Sequence, residues 1–187
     1  MPIPRLRTED TLLLVVDIQE RFAQSIHGWD NLVHNAAILC RAMGALGVPV
    51  IATEQNPKGL GHTVGSVREA LPSGAPMFTK TRFSSVTPEV ASAIAGLHRG
   101  TVLVCGIEAH VCVLQTTLDL LAAGRQVFLC TDCISAAQAC QIPHALSRME
   151  RAGAVRTGTL SAIYELLGDA AHPGFKTCLE MVKGLRT

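Results

Sequence analysis

Charge and aromatic rings are both scarce in this chain. Charged residues make up 17% of its 187 positions and aromatic residues 4%, against 48% hydrophobic residues. The net charge is only +1, so no basic surplus recommends a nucleic acid or an anionic membrane as partner. No uncharged run reaches the roughly 18–20 residues needed to cross a bilayer. The apolar surplus is therefore expected in buried strands and in an interface between copies of the chain, making a homo-oligomer. The opening segment, MPIPRLRTED, lacks the long apolar stretch of a secretory signal, and a cytoplasmic location is expected.

Other signatures are missing too. No GxGxxG follows the first predicted strand, which removes the dinucleotide fingerprint. The cysteines at Cys40, Cys105, Cys112, Cys130, Cys133, Cys140 and Cys178 are seven, an odd number, and disulfides are not expected without an export signal. Cys130 and Cys133 are spaced CxxC, but no second pair follows to suggest zinc, and no thioredoxin-like helix start comes after them. That pair falls where a strand is predicted to run out. Cys105 and Cys130, inside apolar runs, read as small core residues.

What is present is a regular alternation. At 187 residues a single domain over residues 1–187 is expected, large enough for a sizeable core. Thr11–Asp17 (TLLLVVD), Val48–Glu54, Pro76–Lys80, Thr101–Gly106, Gln126–Asp132 and Ala154–Gly158 read as strands. The continuous apolar runs among them suit strands buried on both faces. Between them, Leu32, Ala36, Leu39, Met43 and Leu46 share a helical face, and Pro88–Leu97 and Pro143–Ala152 also read as helices, with Thr87 a candidate N-cap. Ser161–Leu167 and Phe175–Leu185 close the chain as helices. The loop QNPKGLGHT after the second strand, rich in glycine and proline, reads as a lid. Right-handed crossovers then give a parallel sheet covered by helices on both faces, with ligands outside the carboxyl ends of its strands.

The stretch Thr101–Thr117 (TVLVCGIEAHVCVLQTT) is the centre of this reading. A strand ends in a tight elbow, and a helix with Val111, Leu114, Leu118 and Leu121 towards the sheet comes after it. Cys112 falls in the first turn of that helix, where unpaired N–H groups and the macrodipole favour thiolate. Asp17 and Lys80 also sit at strand ends, so one crevice can hold all three. There Asp17 can take the thiol proton and return it to a leaving amine, while Lys80 supplies fixed positive charge. The plain alternative is a solvated Lys80, a capping Asp17 and a packed Cys112.

LLLVVDIQERF (Leu12–Phe22), KTRFSSV (Lys80–Val86) and VCGIEAHVCVLQTTLDLLAAG (Val104–Gly124) together resemble the isochorismatase-like cysteine hydrolase superfamily. TEQNPKGLG (Thr53–Gly61) is similar to the isochorismatase-domain-containing subgroup rather than to the nicotinamidases. The resemblance implies a Rossmann-like, three-layer α/β/α fold on a six-stranded parallel sheet, with an Asp17–Lys80–Cys112 triad. It also implies a cis peptide at Ile107–Glu108, turning the Glu108 N–H towards the point faced by the Cys112 N–H to form an oxyanion hole. Metal-dependent nicotinamidases carry an acid and two histidines after the second strand, whereas only His62 stands there here. No metal and no cofactor are therefore expected. Isochorismatases proper lack the cysteine, so its presence favours hydrolysis of an amide-like C–N bond in a small molecule. Expected substrate contacts are Gln55 and Asn56 at the crevice mouth, Phe22 and Phe83 on site-side loops, Ile107 at the elbow, and His110 beside the nucleophile. The rival readings are a catalytically silent binding or scaffold protein of the same fold and a thiol-redox protein using Cys112.

Overall fold

Strand-forming runs account for the whole centre of the molecule. The computed structural model describes residues 3–186; residues 1, 2 and 187, the ends of the expected 1–187 domain, lie outside them. In chain order the elements are β1 (Thr11–Val16), α1 (Trp29–Ala45), β2 (Val50–Gln55), α2 (Pro57–Leu60), α3 (Gly65–Arg68), β3 (Met77–Lys80), α4 (Pro88–Gly96) and β4 (Thr101–Ile107). They continue as a five-residue π-turn (Ala109–Val113), α5 (Leu114–Ala122), β5 (Gln126–Ser135), α6 (Gln141–Arg151), β6 (Val155–Thr157), α7 (Thr159–Leu167) and α8 (Phe175–Val182). A single 3-10 turn, Glu20–Phe22, comes after β1.

All six strands are parallel and lie in the order β3-β2-β1-β4-β5-β6. The chain builds outwards from β1 to one edge, returns to β4 beside β1, and builds outwards again. Every residue of β1 and β4 is buried, because each strand is covered on both faces. Alternate side chains feed two separate cores. Leu13, Val15, Ala52, Leu103 and Phe128 pack with α1 and α7, while Leu12, Leu14, Val104 and Leu129 pack with α4, α5 and α6. This is the expected three-layer α/β/α arrangement. Thr87 caps α4, its hydroxyl accepting from the Val90 N–H at 3.3 Å, with Pro88 in the first turn. Among the described residues no helix is long and apolar enough to cross a membrane.

Two expectations change. The segment after β4 opens with the π-turn rather than with an α-helix, so Cys112 precedes α5 instead of lying in its first turn. Of the face expected to meet the sheet, Leu114 is buried and Val111, Leu118 and Leu121 are partly covered and pack against the same core, beside the buried Val113, Thr116, Thr117 and Leu120. In addition, β5 does not end at Asp132 but continues to Ser135. A bulge accommodates the extra length: Val104 pairs with Leu129 and Gly106 with Ile134, so two steps along β4 match five along β5.

Candidate active site

The chemistry-bearing side chains meet where the strand order reverses, between β1 and β4, as the general rule for open parallel sheets predicts. Asp17 leaves β1 in the left-handed region, with φ 53°, which turns its carboxylate across the strand ends. Lys80 leaves the edge strand β3 and reaches over the end of β2. Its Nζ donates to Asp17 Oδ2 at 2.6 Å, and its other acceptors are Gln55 Oε1 at 2.8 Å and the carbonyls of Phe83 and Arg82 at 3.0 and 3.3 Å. The second Asp17 oxygen accepts from the Thr53 hydroxyl at 2.8 Å, and Thr53 in turn lies 3.0 Å from the Ser85 hydroxyl. With the Thr53 proton committed to Asp17, Ser85 is the donor in that contact. The Ser85 N–H donates to Thr116 Oγ1 at 2.8 Å, tying the relay to α5. Both members of the ion pair are buried, so this full set of partners is what allows the charges to be there.

Cys112 faces this pair. Both the Asp17 carboxylate and the Lys80 ammonium lie near enough to act on its thiol, in opposite senses. The structure corrects the expectation of a resting thiolate. Burial, followed by the negative charge of Asp17, pushes the thiol up to about 12, and the opposing pull of Lys80 does not compensate. The group at rest is a thiol beside a base.

The elbow is held from outside. The Ile107–Glu108 peptide is cis. The Glu108 side chain accepts from the Ala137 N–H at 2.8 Å, fixing the elbow against the chain just past β5. Gly106 allows β4 to pass close to β1, with φ 126° and its α-carbon against the Val16 backbone.

The loop after β2 is pinned rather than free to swing as a lid. Gln19, fully buried, donates to the Gln55 and Gly61 carbonyls at 3.0 and 2.6 Å and accepts from the Gln55 N–H at 2.7 Å. Gln19 and Thr63 also form an antiparallel bridge. Glu54 accepts from the Thr63 N–H at 2.7 Å and from His62 at 3.1 Å. Burial alone would raise the Glu54 carboxyl, but these bonds hold it below its ordinary value. His62 is thus a partner of Glu54.

The expected substrate contacts separate into distinct environments. Gln55 points its oxygen at Lys80 and its amide at the Thr81 carbonyl, 2.6 Å away, so it is committed to the ammonium. Asn56 is left-handed, with φ 37°, and lines a groove of about 600 Å³ with Lys58, Thr79, Arg82 and Glu89. That groove runs along the outer edge of β3. Cys112 does not line it, and Lys80, whose side chain is fully covered, contributes only backbone to it. We therefore place the chemistry at the strand switch and not in the larger groove. Phe22 packs against the α1-side core, and Ile107 is wholly buried in the same core. Phe83 is 53% exposed. His110 is half-buried in the π-turn, and its Nδ1 is covered with no hydrogen-bond partner among the described residues.

Sequence reasoning passed over Gln19, Thr53, Ser85 and Thr116, which hold the pair in place. A signal existed for Thr53, a hydroxyl within the apolar run VIATE, and for Gln19, two residues beyond Asp17.

A doubly covered parallel sheet with a thiol, a carboxylate and an ammonium at its strand switch defines the class: a doubly wound α/β protein of three layers. The profile of the isochorismatase domain matches residues 11–160. Isochorismatase domain-containing protein 2 of Danio rerio is 39% identical over 175 residues, spanning 93% of this chain and 87% of that protein. The secreted isochorismatase effector Isc1 of Phytophthora sojae is 37% identical over 184 residues, spanning 96% and 87%. The solved structure of MAR1 ribonuclease from Caenorhabditis elegans matches with a TM-score of 0.93 at 38% identity, covering 96% of this chain and 93% of that one. This chain belongs to the isochorismatase family.

Proposed function

We propose that this protein is a cysteine hydrolase that cleaves an amide-like C–N bond in a small molecule through a thioester, with Asp17, Lys80 and Cys112 as its catalytic groups. The observation that carries this reading is a buried ion pair at the strand switch whose two charges both act on one thiol. Because the thiol rests protonated, attack and deprotonation are coupled. Asp17 accepts the proton as the sulfur adds to the carbonyl, and Lys80 holds the negative charge that would otherwise oppose this step. The N–H groups of Glu108 and Cys112 receive the oxyanion, and each such donor is worth on the order of 3 kcal/mol in the barrier. Asp17 then passes the proton to the leaving amine, and water, activated by the same carboxylate, releases the acid from the thioester. No metal or cofactor enters these steps. His110, beside Cys112, and the exposed Phe83 are assigned to substrate recognition, whereas Asn56 belongs to the outer groove; Gln55 positions Lys80.

Cys112→Ala is expected to abolish turnover of a panel of small amides while leaving the far-UV circular dichroism unchanged. Turnover surviving in that variant would refute the reading. A reactive Cys112 with no hydrolysis of any amide would instead favour the scaffold alternative. One observation favours a second activity, RNA cleavage: the similarity to the MAR1 ribonuclease of Caenorhabditis elegans. Cys112-dependent cleavage of RNA in the absence of amide hydrolysis would select it.

Alkylation tests the coupling. Cys140 is exposed, so Cys140→Ser is the proper background. Iodoacetamide is expected to modify Cys112 at a nearly constant rate from about pH 6 to about pH 8, because Asp17 takes the proton during attack. In Asp17→Asn the rate should fall and then climb about tenfold per pH unit, as free thiolate becomes the only reactive species. Identical profiles in the two proteins would show that the carboxylate is not the base.

Self-association belongs to the same reading, and the exposed apolar side chains of Phe83, Leu160 and Tyr164 support it. So does an intracellular setting, since all seven cysteines are free thiols, as suits a reducing compartment.

A further inference from the structure

The bulge in β5 does more than lengthen the strand. Residues three apart on a regular strand point to opposite faces, yet Cys130 and Cys133 both project into the α1-side core, on the sheet face opposite the core that contains Cys112. Between their sulfurs lies the hydroxyl of Thr159, 3.3 Å from Cys130 Sγ and 3.1 Å from Cys133 Sγ. Asp132 turns a carboxylate oxygen into the same space, 3.4 Å from Cys130 Sγ and 3.1 Å from the Thr159 hydroxyl. The two sulfurs and that oxygen all lie within 4.8 Å of one another.

Four donor atoms at such separations can be gathered about one ion. With bonds of about 2.3 Å to sulfur and about 2.0 Å to oxygen, a tetrahedral zinc ion sets its ligand atoms about 3.3–3.8 Å apart. The four edges at 3.1–3.4 Å need to open by only a few tenths of an ångström, and the edges from Cys133 Sγ to Cys130 Sγ and to Asp132 lie within 4.8 Å. We propose that Cys130, Asp132 and Cys133 bind a divalent cation of the zinc class, with the Thr159 hydroxyl at the fourth vertex. The sequence carries no second CxxC; the carboxylate and the hydroxyl complete the set instead.

Charge and access agree with this assignment. Two thiolates and a carboxylate outweigh the ion by one negative charge, and the complex lies against the N-terminus of α7, where the Thr159 N–H donates to Asp132 Oδ1 at 2.9 Å. That N–H, with the Thr159 hydroxyl, which donates to the same oxygen at 3.1 Å, fixes the orientation of the carboxylate. Asp132 is exposed and gives the cation its way in, while the two cysteines are fully covered. Binding forms two metal–sulfur bonds and releases both thiol protons to solvent, with no change of oxidation state.

The test is titration of the full chain, carrying Cys112→Ala and Cys140→Ser to remove the reaction-site and exposed thiols, with Co²⁺ followed by Zn²⁺. One Co²⁺ per chain is expected, with the intense visible bands of tetrahedral coordination and a sulfur-to-cobalt charge-transfer band. Zn²⁺ should displace it. Cys133→Ala should halve the charge-transfer intensity. Asp132→Asn keeps an acceptor for Thr159, so the fold is preserved, and it should weaken Co²⁺ binding about tenfold or more. Failure of the folded protein to develop the charge-transfer band would overturn the proposal, as would full intensity and affinity in both variants. The readout requires no substrate, so its outcome is independent of whether Cys112 is a nucleophile.

Discussion

Lys80→Met is expected to cost about 3–5 kcal/mol of stability and to remove turnover entirely. Methionine nearly matches the length of the lysine stem, so packing changes little. What it removes is the ammonium 2.6 Å from Asp17, in a place where both side chains are buried. The carboxylate then keeps the Thr53 hydroxyl but no cation, and an uncompensated buried charge is among the most destabilising states a core can hold. Asp17→Asn/Lys80→Met provides the internal control. With neither charge present, much of the lost stability should return, although activity should not. Urea denaturation of the two single variants and the double variant reads this directly. A single variant within about 1 kcal/mol of the parent, or a double variant no more stable than Lys80→Met, would show that the pair is not the tightly coupled unit its geometry describes.

Gly106→Ala is expected to be worse still for the fold. A β-carbon at this position would lie 2.0 Å from the Val16 carbonyl oxygen and 2.7 Å from its carbonyl carbon. Those atoms are backbone of the neighbouring strand and cannot rotate away. The φ of 126° adds a conformational cost for any side chain. Ordinary overpacking costs about 1–3 kcal/mol, and forcing two central parallel strands apart should exceed it, reaching about 4 kcal/mol or more out of a typical total of about 5–15. Gly124→Ala is the contrast: its φ is also positive, at 74°, but nothing lies within 4 Å of the added carbon. Its expected cost is about 1 kcal/mol. Thermal melts of both variants separate backbone collision from backbone conformation, and equal melting temperatures would remove the collision argument.

Much of this architecture is legible in the chain itself. TLLLVVD and TVLVCG can hardly be anything but strands buried on both faces, and proline after threonine at Thr87–Pro88 marks a helix start that the hydrogen bond to Val90 bears out. Asp17 and Lys80 stand where predicted strands stop, and Cys112 lies beyond the end of a third. Other features had no one-dimensional signal. A period of 3.6 residues cannot anticipate a π-turn, so Cys112 stands ahead of α5 and not in its first turn. Thr131 and Asp132 interrupt the hydrophobic pattern and hide the continuation of β5. Gln55 looks like a solvent-facing amide until Lys80, 25 positions on, is seen to lie over it at 2.8 Å. The ionisation of Cys112 depends on burial, a quantity that neighbours in sequence do not reveal.

The placement of Lys80 has a wider consequence. It comes from a four-residue strand at the rim of the sheet, paired on one side only, yet its amine neutralises an acid at the middle. Border strands fray more readily than interior ones. Loosening β3 would withdraw the ammonium while the other five strands stay joined, turning a poised thiol into an inert one without unfolding the domain. A strand at the border of the sheet thereby sets the electrical environment of an acid at its centre.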